Sequence, residues 1–324
     1  MLLQSFSILE KEPAPGRQTA YGWLTLLSDS RNQSFPDTDP ILISDTASCS
    51  IPFTMAGKLI LVKGMADTTS GSFILDTGAP GLVLNSTYFR DYPLENLTAE
   101  TQESITGQGA GTQVTDLHYF RLGTLHYYKL KPHVISLSHL ENSKGVRILG
   151  LLGVGMFTQC EMIIDYKTNM LHLHHIRKKE RKTYDHPMLK DATSYDTYPF
   201  ELNENRILIS TAMKGKKLPF VVDYGAESNI IDSRLPDKIL DEVRVNGRIL
   251  LAGAGTQKVE AVTGEVSGFM LGSMPIGDMA VIVTNLENTC FGKGNCIQGV
   301  FGYDFLSRYT IVFNFVKRKM YILK

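Results

Sequence analysis

Phe73-Ile74-Leu75-Asp76-Thr77-Gly78-Ala79-Pro80-Gly81-Leu82-Val83-Leu84 sets two apolar runs on either side of a carboxylate, a small hydroxyl residue and a glycine. That is the pattern of a buried strand delivering an acid to a tight turn. It returns as Phe220-Val221-Val222-Asp223-Tyr224-Gly225-Ala226, followed by Ile230-Ile231. The two aspartates lie 147 positions apart (223 − 76).

The surroundings of the motif repeat as well. Ile51-Pro52-Phe53 and Leu59-Ile60-Leu61-Val62 precede it in the first copy, Tyr198-Pro199-Phe200 and Ile207-Leu208-Ile209 in the second. Downstream, Gly107-Gln108-Gly109-Ala110-Gly111-Thr112-Gln113 is echoed by Ala252-Gly253-Ala254-Gly255-Thr256-Gln257. Each copy then reaches a Gly-x-x-Gly, Gly150–Gly153 and Gly299–Gly302. Each closes on a last strand, Met162-Ile163-Ile164-Asp165-Tyr166 against Ile311-Val312-Phe313-Asn314-Phe315. Matched blocks in one order are an internal duplication. Short β-branched and aromatic runs broken by glycine predict mostly β architecture, with at most one short helix per lobe, such as the one opened by Pro236.

The expected organisation is an N-terminal leader or packing segment over residues 1–50, lobes over 51–176 and 198–324, and a linker over 177–197. Ala20, Trp23, Leu24 and Leu27 fall at helical spacing and predict a short amphipathic helix in the leader. The run Arg177-Lys178-Lys179-Glu180-Arg181-Lys182 reads as a solvated linker.

Composition narrows the classes of function. The 324 residues suffice for two domains with cores, and 43% hydrophobic with 20% charged residues is a globular balance. With 33 basic and 33 acidic residues the net charge is zero, which offers no electrostatic footprint for nucleic acid or anionic membrane. The longest apolar run, Ile148 to Phe157, is too short to insert across a bilayer. Met1 to Glu10 lacks the basic start and small-residue cleavage site of a signal peptide. Cys290 and Cys296 bracket a flexible Phe-Gly-Lys-Gly-Asn loop able to close a disulfide. Such a bridge would favour export to a periplasm or the cell exterior, with any signal lost upstream; otherwise the cytoplasm is expected.

The chemistry follows from the pairing. Gly78 and Gly225 let the chain turn and bring backbone N–H groups to the carboxylates, and the short Ala79 and Ala226 leave room for the lobes to approach. If a twofold axis relates the lobes, Asp76 and Asp223 face one another and share a proton. One acid then polarises a carbonyl while the other takes a proton from a water.

These motifs resemble the active-site signature of the pepsin-like and retropepsin-like aspartic proteases. Gly150–Gly153 and Gly299–Gly302 resemble that family's second hallmark, and Gly302-Tyr303-Asp304-Phe305-Leu306-Ser307-Arg308 is similar to bacterial retropepsin-like tandem proteases. The resemblance covers about residues 50–324 and implies two acid-protease-like β-barrel lobes related by pseudo-twofold symmetry. It implies an aspartic endopeptidase with catalytic Asp76 and Asp223, and loops supported by Thr77, Gly78, Ala79, Tyr224, Gly225 and Ala226. It further implies substrate-covering flaps at Gly107, Gly109 and Gly111 and at Gly253 and Gly255. A peptide or protein is the expected substrate, without cofactor or metal, on a chain whose two acids need no second copy.

One position departs from the pattern. The family has Thr or Ser where this chain has Tyr224, and that hydroxyl bonds the opposite lobe. A second reading therefore stands beside the peptidase: a pseudo-protease that binds extended peptides in the cleft without cutting them. A third is a duplicated barrel with incidental aspartates. His172, His174 and His175 are read as a strand end, and Asp165 and Asp304 as turn or capping residues.

Overall fold

The computed structural model describes residues 3–9, 24–27, 41–96, 103–104, 107–108, 113–252, 258–287, 290–291 and 295–324. It is mostly β, with two curled sheets, one largely from each half of the sequence.

The halves meet in six neighbouring strands at one end of the first of these sheets. Their order is Tyr195–Pro199, Lys319–Leu323, Ile311–Asn314, Cys160–Asp165, Met170–His175 and Ser48–Ala56, three strands from each half. At their centre Ile311–Asn314 and Cys160–Asp165 run antiparallel, with Met162 opposite Phe313, Ile163 opposite Val312 and Ile164 opposite Ile311. Ile163 and Val312 are each other's counterparts in the duplication, so the pseudo-twofold axis passes through this pair. Their neighbours then pair reciprocally, as in an isologous interface.

Each lobe repeats one strand order. In the first, Thr69–Leu75 lies parallel to Gly150–Leu152, which is antiparallel to Leu82–Asn85, itself parallel to His133–Ile135. In the second, Lys216–Val222, Gly299–Phe301, Asn229–Asp232 and Met279–Thr284 take the same places and directions. Strands enclosed this way carry no polar face, which is why Leu82–Asn85 and Asn229–Asp232 are buried at every position. One apolar cluster runs on from Phe53 and Phe73 in the first lobe to Phe220 and Phe313 in the second. The interface between the lobes is therefore continuous with their cores.

Three expectations change. Leu24–Leu27 is a strand paired with Leu3–Leu9, not the end of a helix, and the other helical-spacing positions lie outside the described residues. Cross-strand pairing outweighs a weak periodicity there. Leu3–Leu9 also pairs with Val243–Ala252 of the second lobe, while Ile41–Ser44 joins the first. Among the described residues the second lobe has two short helices, Asp237–Leu240 and Tyr303–Leu306, each of four residues and too short for a periodic signal.

Between the lobes, Arg177 to Lys179 and Arg181 to Thr183 are exposed, whereas Tyr184 packs down. Its ring stacks on His174 at 3.9 Å, its hydroxyl donates to Glu161 at 3.0 Å, and its carbonyl accepts Lys317 Nζ at 2.6 Å. Met170–His175 alternates, with Leu171 and Leu173 inward. His172 and His174 on the other face meet Ser50 and Ser48, each at 2.7 Å.

Candidate active site

Both aspartates end a buried strand and are fixed by their backbone. Asp76 N donates to Leu152 O at 3.0 Å and Asp223 N to Phe301 O at 2.9 Å, extending the parallel pairing by one residue. A turn closes behind each acid, with Ala79 N donating to Asp76 O and Ala226 N to Asp223 O. The Gly-x-x-Gly elements brace these turns from below. Val154 N donates to Ala79 O at 3.1 Å in one lobe, and Tyr303 N to Ala226 O at 2.8 Å in the other. A β-carbon on Gly153 would lie 2.3 Å from Ala79 O, and one on Gly302 2.6 Å from Ala226 O. No side chain fits at either place.

The turns bring backbone donors to the carboxyls. Asp76 Oδ1 accepts from Gly78 N at 2.9 Å and Ala79 N at 3.1 Å. Asp223 Oδ1 accepts from Gly225 N at 2.7 Å and from Gly78 N, across the axis, at 3.0 Å. One N–H therefore serves both acids, which places their inner oxygens side by side. The outer oxygens, Asp76 Oδ2 and Asp223 Oδ2, are buried and have no hydrogen-bond partner among the described residues. Gly78 and Gly225 do not adopt positive φ. Gly225 is needed for close approach, since a β-carbon there would sit 2.5 Å from Asp76 Cγ.

Burial raises the pKa of both acids. Asp76 is pushed well up by desolvation and then by the charge of Asp223. Asp223 is also raised by burial, but the N–H groups of Gly225 and Gly78 and the positive charge of Arg206 pull it back. Two buried carboxyls in contact hold one proton between them far above the usual carboxylate range.

Thr77 ties the lobes together. Its Oγ1 donates to Val222 O at 2.8 Å and accepts Tyr224 N at 3.0 Å, both across the axis. The reciprocal pair is missing, because position 224 carries a phenol. Tyr224 is fully buried, and its hydroxyl has no hydrogen-bond partner among the described residues. Its ring stacks on Tyr166 at 6.4 Å and meets the edge of Phe313 at 6.1 Å.

Sequence reading missed a charged group of contacts beside the dyad. Lys144, at the end of the helix Ser138–Lys144, pairs with Glu227 of the second lobe, and both side chains are buried. Lys58 donates to Asp304 at 2.5 Å, and its backbone N–H meets Glu227 Oε2 at 3.4 Å. Asp304 lies in the first turn of the helix Tyr303–Leu306 and is also an ion-pair partner, whereas Asp165 holds the turn at Lys167 and Thr168. Glu227 follows Ala226 directly, where the first copy has Pro80, so aligning the two motifs marks it. Nothing local marks Lys144.

Of the flap residues, Gly107 lies in the short strand Gly107–Gln108, paired with Glu103–Ser104. Gly109, Gly111, Gly253 and Gly255 lie outside the described residues. Cys290 stands opposite Cys296 in a two-stranded ribbon; Cys296 is disulfide-bonded, while Cys49 and Cys160 are free thiols. Among the described residues no group of three or more His, Cys, Asp or Glu is arranged to hold a metal ion, and no helix is long and apolar enough to cross a membrane.

The aspartyl protease family model matches residues 209–305, a span that contains Asp223 and the second Gly-x-x-Gly. The match covers most of residues 198–324. No curated protein matches the chain. Among solved structures, the aspartic proteinase from Irpex lacteus aligns over 86% of this chain and 97% of its own, at 14% identity and a TM-score of 0.43. That likeness is too distant to bear on the site.

Proposed function

We propose that this chain is an aspartic endopeptidase that cuts peptide or protein substrates in a cleft between its lobes, taken as residues 51–176 and 198–324. The observation that carries the reading is the single Gly78 N–H shared by Asp76 Oδ1 and Asp223 Oδ1. Two acids so placed hold one proton, as general acid–base hydrolysis by a pair of carboxyls requires. The N–H groups of Gly225 and Gly78, and then the charge of Arg206, favour ionised Asp223, leaving the proton on Asp76. Asp76 then donates to the substrate carbonyl while Asp223 accepts a proton from the attacking water. The outer oxygens are the atoms left for those tasks. Both acids are in one chain, so a monomer suffices.

The pseudo-protease reading keeps one observation in its favour, the loss of half the interlock at Tyr224. One experiment separates the two: incubation with a complex peptide mixture from pH 3 to 8 and detection of products by mass spectrometry, with Asp76→Asn as the control. Cleavage by the native chain and none by the variant supports the peptidase. Retention of peptides without cleavage by either protein supports the binding module.

A further inference from the structure

The substitution at position 224 leaves a mechanical question. The site has one half of its hydroxyl interlock, yet Gly225 still packs against Asp76 and Gly78 still reaches Asp223. Thr77 holds the second catalytic loop through Val222 O and Tyr224 N, so any further hold across the axis comes from something other than a second hydroxyl.

The contacts that do so lie on one side of the axis. Tyr166 follows the central strand Cys160–Asp165 of the first lobe and is partly buried. It stacks on Tyr224, which follows Asp223, at an interplanar angle of 22°. Its other face of contact is the edge of Tyr303, which follows Gly302, at 5.6 Å and 88°. From its own lobe, Phe53 abuts it at 5.8 Å. One ring of the first lobe thus touches both the catalytic loop of the second lobe and the brace beneath that loop. Lys58, also from the first lobe, lies 5.6 Å from the centre of the Tyr303 ring while pairing with Asp304. The corresponding places in the first lobe are Thr77, Val154 and Gly155, which offer neither aromatic ring nor charge.

We infer that Tyr166 is a positioning residue for the aspartate pair: its stack on Tyr224 and edge contact with Tyr303 clamp the second catalytic loop to the first lobe in place of the absent hydroxyl. The inference rests on the peptidase reading for its kinetic consequence but not for its structural one. Aromatic pairs add directional attraction to burial, and a ring held on two sides fixes orientation as well as distance. The phenol oxygen of Tyr224 contributes nothing, so the ring is the working part.

The test is a cycle of Tyr166→Ala, Tyr224→Thr and the double variant, with Tyr166→Phe as the conservative control. In the active chain, Tyr166→Ala lowers kcat at least tenfold with KM within twofold, and Tyr166→Phe restores kcat. The double variant loses less than the product of the single losses, because the two rings act as one unit. A Tyr166→Ala protein with lowered melting temperature but unchanged kcat and pH profile would overturn the clamp. If the parent cuts no peptide at any pH, the peptidase reading fails while the clamp is still read from unfolding. Tyr166→Ala must then flatten the pH dependence of the melting midpoint that the paired acids create. An unchanged slope would overturn it.

Discussion

Gly225 lies against the carboxyl of Asp76 from the opposite lobe, so closely that the smallest added side chain would fall 2.5 Å from Asp76 Cγ. The glycine of the second catalytic turn is thus constrained by the first lobe's acid as much as by its own turn. Gly225→Ala must move either the loop or the carboxyl, and a shift of about 1 Å at a reacting group costs on the order of a hundredfold in rate. We expect kcat to fall by about that factor with circular dichroism unchanged. An alanine variant with native kcat would show that the lobes separate freely.

Thr77 supports the interface with two bonds across the axis, to Val222 O and from Tyr224 N. Thr77→Val keeps the shape and leaves a buried carbonyl and a buried N–H unsatisfied. Each such group costs about 1–3 kcal/mol. Urea unfolding should show a loss of about 2–5 kcal/mol for Thr77→Val and much less for Thr77→Ser, which retains the hydroxyl.

The buried pair Lys144–Glu227 is held at an electrostatic cost. Burial raises the Glu227 pKa and lowers that of Lys144, so desolvation outweighs their mutual attraction on both sides. Removing one partner strands the other: Lys144→Met should destabilise by about 3–5 kcal/mol. Lys144→Met combined with Glu227→Leu should recover most of that loss, since an apolar pair of similar volume is often neutral or better. Thermal unfolding of the three variants checks the cycle.

Four buried acids give the stability a definite pH dependence. Burial raises the folded-state pKa of Asp76, Asp223, Glu161 and Glu227 above their unfolded values. A raised acid binds its proton more tightly when folded, so its contribution is fully present below the unfolded pKa, near 4. It is lost as pH rises through the folded pKa. The melting temperature should therefore fall from about pH 4 towards pH 8, and Asp76→Asn should reduce that fall. Calorimetry across the range measures it; a midpoint that climbs with pH would contradict the assignment.

What could be read from the sequence was whatever the duplication states twice. The acids, the glycines beneath them and the last strands appear in two registers, and each copy vouches for the other. The site's asymmetric parts escaped for the same reason. Glu227 and Tyr166 have counterparts of different chemistry in Pro80 and Phe315, and Lys144 meets Glu227 across 83 positions. Tyr224 could be marked as a departure, but the direction of its ring depends on Tyr166 and Phe313, which no local pattern links to it. Leu24–Leu27 misled because four residues of helical spacing weigh less than a neighbouring strand.

The Ile163–Val312 pair at the symmetry axis also sets a timetable. The strand Cys160–Asp165 leaves the ribosome with its inner edge open, and its partner follows 149 residues later (312 − 163). At synthesis rates of about 5–20 residues per second the wait is roughly 7–30 seconds. Over that interval a nascent chain has no completed cleft and an unpaired edge suited to another strand, and Asp223 itself is added only 60 residues after Ile163 (223 − 163). A cell making this protein is shielded from a finished dyad until translation has passed the last central strand, and in exchange must guard an adhesive half-molecule.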